Sequence, residues 1–134
     1  MDDTVTTMLD IASAGIFLGT INHCHLSAKF ITAVERKTSL PFLGVEVLNL
    51  APRIKTKVYV KTTNMGLLLH DQSQVDNRYK RSLITTTLNQ AYCISSDLLH
   101  LAQECDRLET VFLKLKYPRK LFSLAVKQFV DSKV

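Results

Sequence analysis

The residues of this chain best suited to chemistry are the adjacent aspartates Asp2 and Asp3, which precede the β-branched run at residues 4–7. Paired carboxylates before such a run are typical of a two-metal phosphoryl-transfer site, where they hold divalent ions. Taken alone, the pair is weak evidence, because a solvated acidic terminus has the same sequence. The residues downstream must decide between these interpretations.

A second group with possible chemistry is the run His23-Cys24-His25. Adjacent residues on a helix point in different directions, so one zinc ion cannot easily be bound by all three. The other histidines, His70 and His100, are scattered, and no spacing suggests a nucleophile with its base. We therefore expect neither a metal site here nor a small independent enzyme.

Composition limits the class of protein. The chain has 134 residues, of which 46% are hydrophobic and 22% charged, as in a folded chain of one domain or two small ones sharing a core. It shows no signal peptide and no apolar stretch near the ~18 residues that a membrane span needs. Three cysteines without CxxC spacing favour a reduced intracellular compartment, nuclear or cytoplasmic.

Charge is segregated along the chain. Residues 1–50 hold three basic and five acidic residues, whereas residues 51–134 hold fourteen basic and seven acidic ones. A basic second part favours a polyanionic partner such as RNA or DNA.

Hydrophobic patterning predicts the elements that precede the helical part of the chain. We expect a helix over residues 9–23, strands over 28–35 and 40–48 separated by a turn at 36–39, and a third strand over 55–61. Gly44 suggests a bulge or a close backbone approach within the second strand. Lys55, Lys57 and Lys61 share one face of the third strand and suit phosphate contact; a solvated edge strand protected by lysines is the alternative.

The second part is predicted to be helical from about residue 75. Asp76 or Asn77 can cap the first helix, and residues 95–97 break the chain with capping chemistry. The strongest periodicity lies in 98–116, where Leu98, Leu101, Cys105, Leu108, Phe112 and Leu115 recur at helical spacing. Pro118 ends that helix and starts a third. Three helices with short connections predict a helix-turn-helix-like bundle.

Four collinear strings, "MDDTVTT", "LPFLGVEV", "KVYVKTTNMGLLLH" and "ECDRLETVFLKLKYP", resemble reverse transcriptases of Penelope-like and related animal retroelements. By this resemblance, Asp2 and Asp3 match the family's metal-binding aspartate pair, which holds Mg²⁺ in the intact enzyme. Gly44 stands where the family commonly has aspartate, and Thr62 replaces a usual proline.

The resemblance extends to the helical part, which is similar to the animal helix-turn-helix segment that follows these palms. It implies that Arg78, Lys80 and Arg81 contact the backbone of a template–primer duplex, independent of sequence. The outward residues of 98–116 are mostly acidic, so we do not expect a sequence-specific regulator.

We therefore expect an α+β chain. Residues 1–72 would be a partial palm, with one helix and a small antiparallel sheet, and residues 73–134 a thumb-like helical domain. The expected function is that of a truncated reverse-transcriptase remnant, inactive without the fingers and further aspartate of the upstream palm. At most it would bind nucleic-acid backbone. The alternative is a helical protein–protein interaction module.

Overall fold

A computed structural model describes residues 3–64, 66 and 68–134. Its elements follow in the order α1 (Ile11–Cys24), β1 (Ser39–Phe42), β2 (Val45–Leu50), β3 (Arg53–Val58), α2 (Asn77–Ile94), α3 (Leu98–Lys114) and α4 (Arg119–Lys133). One helix, a small sheet and three further helices confirm the predicted α+β class.

The sheet is an antiparallel meander in the order β1-β2-β3. Leu43 and Gly44 both have positive φ and form the two-residue turn that joins β1 to β2, between the paired Phe42 and Val45. Such a turn matches the twist of the strands it connects, and glycine adopts its backbone at no steric cost. The prediction of one strand over 40–48, with Gly44 as a bulge, was wrong, because Leu43 and Gly44 form a turn between two separate strands.

The strand predicted over residues 28–35 is also absent from the described chain. The backbone groups of Phe30 bond to a side chain instead: its N–H donates to Oδ1 of Asn22 at 2.7 Å, and its C=O accepts from Nδ2 at 3.2 Å. Asn22 lies on α1 and thus takes the place of a neighbouring strand. The turn predicted at 36–39 is confirmed, with Lys37 and Thr38 at positive φ.

Capping residues set the starts of α2 and α3. The carboxylate of Asp76 accepts from the N–H of Arg78 at 2.7 Å, and that of Asp97 accepts from the N–H of His100 at 2.9 Å. Each satisfies a backbone donor that the first helical turn leaves free. Pro118 precedes α4, as the sequence predicts.

The core belongs to the helical part. Among the described residues, the buried hydrophobic side chains lie on α2, α3 and α4 and on the connection after α3: Ile84, Leu88, Ala91, Leu108, Phe112, Tyr117, Phe122 and Phe129. The rings of Phe112 and Tyr117 meet edge to face, with centroids 5.1 Å apart. From the sheet, Val58 packs against this core, whereas no residue of α1 is buried.

Strand β3 is attached to the turn between α2 and α3. Thr56 donates its N–H to the hydroxyl of Ser96 and accepts the Ser96 N–H at its carbonyl, both at 2.9 Å. The Thr56 hydroxyl donates to the carbonyl of Ile94 at 2.6 Å. These bonds fix the sheet edge at one end of the helical unit.

Candidate nucleic-acid interface

Helices α2 and α4 run parallel, because their corresponding ends meet. Near the start of α2, the ammonium group of Lys80 donates to the carbonyl of Asp71. The N–H of Asp71 in turn donates to the carbonyl of Leu115, at the end of α3, at 3.0 Å. The Tyr117 hydroxyl donates to the carbonyl of Leu69 at 2.9 Å, just before α4 begins. Both helix starts therefore lie beside the same connection.

The far ends of these two helices also meet. The rings of Tyr92 and Phe129 lie 5.8 Å apart, and Nζ of Lys133 lies 5.0 Å from the centroid of the Tyr92 ring. Since α2 has 18 residues, this end is about 27 Å from its start. Helix α3 runs in the opposite direction, from this far end back to the end that holds the starts of α2 and α4.

The end that holds the two helix starts is strongly basic. Its exposed cations, which we call the basic end, are Arg78, Arg81, Lys114, Lys116, Arg119 and Lys120. The positive ends of the α2 and α4 dipoles lie here too, while Lys114 and Lys116 follow the negative end of α3. Helix starts combined with basic side chains favour phosphate groups.

Few carboxylates oppose this charge within the described residues. Asp76 caps α2, Asp71 faces Lys80, and Oε1 of Glu109 accepts from Nε of Arg119 at 2.8 Å. The Arg119 side chain stays largely exposed, so its pairing with Glu109 is screened by solvent. The basic end therefore keeps most of its charge available.

One further cation of α3, Arg107, is paired with a buried carboxylate. Glu104 is buried and accepts two bonds from Arg107, at 2.8 and 2.5 Å. These hydrogen bonds raise the pKa of Arg107, which stays charged. The pair is internally neutral and compensates a carboxylate that would otherwise be costly to bury.

The three residues of α2 that were predicted to contact phosphate differ in their exposure. Arg78 and Arg81 are exposed, as expected of a binding surface. Lys80 lies between them in sequence but is only 7% exposed, and its ammonium group donates to the carbonyl of Asp71. It joins α2 to the preceding connection and is not part of the exposed surface.

The three lysines that were predicted to share one strand face also differ in their contacts. Nζ of Lys55 lies 2.8 Å from Asp97, and Nζ of Lys57 lies 3.1 Å from Glu46. Lys55 thus reaches the N-terminus of α3, at the opposite end of the unit from the basic end. Lys61 is exposed on the connection after β3.

The pKa values of the carboxylates paired with Lys55 and Lys57 are lowered. The hydrogen bond from Lys55 lowers the pKa of Asp97, helped by the His100 N–H. The hydroxyl of Ser39, 2.5 Å from Glu46, lowers the pKa of that carboxyl, and Lys57 adds to the effect. Both lysines therefore face ionised carboxylates.

Only one of the two predicted metal ligands lies within the described residues. Asp2 lies outside the described residues, and Asp3 is exposed. Among the described residues, no three histidine, cysteine, aspartate or glutamate side chains come together to hold a metal ion. The three cysteines are free thiols. Within the same residues, no helix is both long and apolar enough to cross a membrane.

Sequence reasoning missed four members of the basic end. Lys114, Lys116, Arg119 and Lys120 fall within the seven residues "KLKYPRK" around Pro118. That density of charge was a usable signal. These four cations lie near Arg78 and Arg81 only because α2 and α4 run parallel, and no local sequence pattern predicts that arrangement.

Comparison with known proteins identifies the helical part. No curated protein and no solved structure matches the chain. A family model described as the animal helix-turn-helix domain matches residues 67–124, which span α2, α3 and the first turns of α4. Residues 67–124 are therefore an animal helix-turn-helix domain.

Proposed function

We propose that the helix-turn-helix domain binds the phosphate backbone of nucleic acid through the basic end, without reading sequence. The observation that carries this proposal is the joining of the α2 and α4 starts, which brings six exposed cations to one end of the domain. Phosphate contacts of this kind supply affinity and orientation, while specificity requires contacts to base edges.

Two carboxylates of α3 outside the buried core support a sequence-independent mode. Asp106 is exposed on this helix and Glu109 is half-buried. Carboxylates held against a duplex would be repelled by its phosphates. Contact through the basic end would leave Asp106 outside the interface, while Glu109 stays paired with Arg119.

Lysine footprinting tests which surface makes contact. The full chain is acetylated with and without an oligonucleotide at low salt, and each lysine is quantified by mass spectrometry. We expect Lys114, Lys116 and Lys120 to lose reactivity on binding, while Lys133 at the far end keeps it. Protection of Lys55 and Lys57 instead would move the interface to the sheet and contradict the proposal.

We further propose that the chain derives from a retroelement reverse transcriptase and does not polymerise by itself. This ancestry rests on the four sequence strings alone. Two-metal phosphoryl transfer needs carboxylates gathered around the ions, and Asp3 is exposed with no such cluster among the described residues.

Two measurements test these statements separately. Primer extension by the purified chain, with Mg²⁺ or Mn²⁺, should give no product, and metal-dependent extension would overturn the claim of inactivity. Sequencing the genomic DNA upstream of the Met1 codon tests the ancestry. A frame encoding further polymerase elements would support it, whereas an unrelated frame would oppose it.

The first part of the chain supports a second candidate, a protein–protein interaction module. The chain exposes 10604 Å², against about 7,000 Å² expected for a folded monomer of 15.1 kDa. Leu9, Ile11 and Ile16 are each more than 70% exposed. Apolar surface of this kind is typical of an interaction site.

Sedimentation at several protein concentrations distinguishes this candidate. Association that increases with concentration, and that Ile16→Ser reduces, would favour it. Leu124→Ser on α4 is a matched control, because it also removes an exposed apolar side chain. A monomer at every concentration would oppose self-association through α1.

A further inference from the structure

The basic end carries an exposed aromatic ring as well as cations. Tyr79 is 57% exposed, the most exposed aromatic side chain among the described residues. The guanidinium of Arg78 lies over it, 5.3 Å from the ring centroid. Both residues belong to the first turn of α2, and Arg81 lies one turn further along, on the same helix face as Arg78.

An exposed tyrosine covered by arginine has the properties of a stacking platform. A nucleic-acid base can stack on an aromatic face or on the plane of a guanidinium group. Tyr79 is not needed for packing, since more than half of its surface is exposed and it is not part of the buried core. Adjacent cations would hold the phosphates on either side of a stacked base.

The surface that leads away from Tyr79 is also suited to a strand. Ser82, Thr86 and Gln90 follow it at helical spacing on α2, and all three are exposed. Helix α2 contains no aspartate or glutamate between Asn77 and Ile94. A strand running along this face would meet hydroxyl and amide groups and no repelling carboxylate.

We propose that Tyr79 and Arg78 form a stacking platform for an unpaired base, so that the basic end prefers a single strand to a closed duplex. This inference rests on the proposed function, because it assumes that the basic end binds nucleic acid. A closed duplex offers its phosphates but keeps its bases stacked on one another, so it would leave the platform unused.

Binding of the full chain to four probes tests the inference. The probes are an oligo(dT) of about 12 nucleotides, an oligo(rU) of equal length, an abasic strand with the same phosphates, and a duplex of equal length. We expect tighter binding to the oligo(dT) and oligo(rU) than to the abasic strand or the duplex. The DNA and RNA arms show which sugar is preferred.

Substitutions separate stacking from phosphate contact. Tyr79→Leu should weaken binding to oligo(dT) about tenfold, as expected for the loss of one stacked base, and leave binding to the abasic strand unchanged. Arg81→Gln should weaken binding to both strands to the same extent. Tyr92→Leu, which removes a tyrosine at the opposite end, is the matched control. Circular dichroism confirms that each variant is folded.

The outcomes distinguish the two levels of the proposal. If the wild-type chain binds none of the probes at low salt, the proposed function fails. If it binds, but Tyr79→Leu behaves as wild type or the duplex is preferred, the stacking platform is wrong while backbone binding stands.

Discussion

At the scale of single residues, Lys116 shows how α3 ends. It has a positive φ of 67°, its N–H donates to the carbonyl of Leu113, and the N–H of Tyr117 donates to that of Phe112, both at 3.0 Å. This is a Schellman motif, completed by the packing of Tyr117 on Phe112. Lysine occupies the position that glycine prefers.

Replacing this lysine should therefore stabilise the fold. Lys116→Gly relieves the left-handed backbone, and we expect a gain of about 0.5–1 kcal/mol in the free energy of unfolding. Gln103→Gly, at an exposed position inside the same helix, should cost about 1 kcal/mol. Urea denaturation measures both, and equal losses in the two variants would contradict the assignment of the cap.

Asp97 makes stability depend on pH. Lys55 and the His100 N–H lower its pKa in the folded state, so its contribution is present above the unfolded pKa of about 3.9 and is lost as pH falls through the folded value. Asp97→Asn keeps an oxygen for capping but removes the charge.

This variant should be less stable than the wild type at neutral pH, and the difference should shrink below about pH 4. Thermal unfolding across the acid range measures it. Asp106→Asn, at an exposed position on the same helix, should show no such convergence. A difference between Asp97→Asn and wild type that stays constant with pH would contradict the pairing with Lys55.

At the scale of elements, the attachment of β3 holds the sheet to the helical domain. Ser96 supplies both a hydroxyl and a backbone N–H to Thr56. Ser96→Ala removes both side-chain bonds, the one accepted from the Thr56 N–H and the one donated to the Thr56 carbonyl, and we expect a loss of about 0.5–1.5 kcal/mol. Ser123→Ala, at an exposed position on α4, is the control and should change little.

Hydrogen exchange gives a second readout of this attachment. The amide of Thr56 should exchange faster in Ser96→Ala, while amides of α4 stay protected. An unchanged Thr56 amide would show that the sheet edge is protected by other contacts.

Sequence predicted the elements with strong local signals and missed those set by distant partners. The helical periodicity, Asp76, Asp97 and Pro118 placed α2, α3 and α4 correctly. The hairpin at 43–44 was missed because leucine is not a usual turn residue. The strand at 28–35 was overpredicted because Asn22 satisfies the backbone of Phe30. Burial of Lys80 depends on Asp71, which belongs to another segment.

At the scale of the whole molecule, charge and packing divide the chain in the same place. The buried core and most of the positive charge belong to the helical part. The first part has little buried apolar surface, and α1 has none of the buried side chains. The helix-turn-helix domain is therefore the part of the described chain whose surface is held in place by a buried core.

The central claim, phosphate binding through the basic end, is tested most directly by the salt dependence of affinity for a single-stranded oligonucleotide. We predict that log K falls linearly with log salt, and that Arg81→Gln combined with Lys120→Gln reduces the slope by roughly 0.7 per lost contact. Lys133→Gln, at the far end, should leave the slope unchanged. An affinity independent of salt, or an unchanged slope in the double variant, would contradict the account.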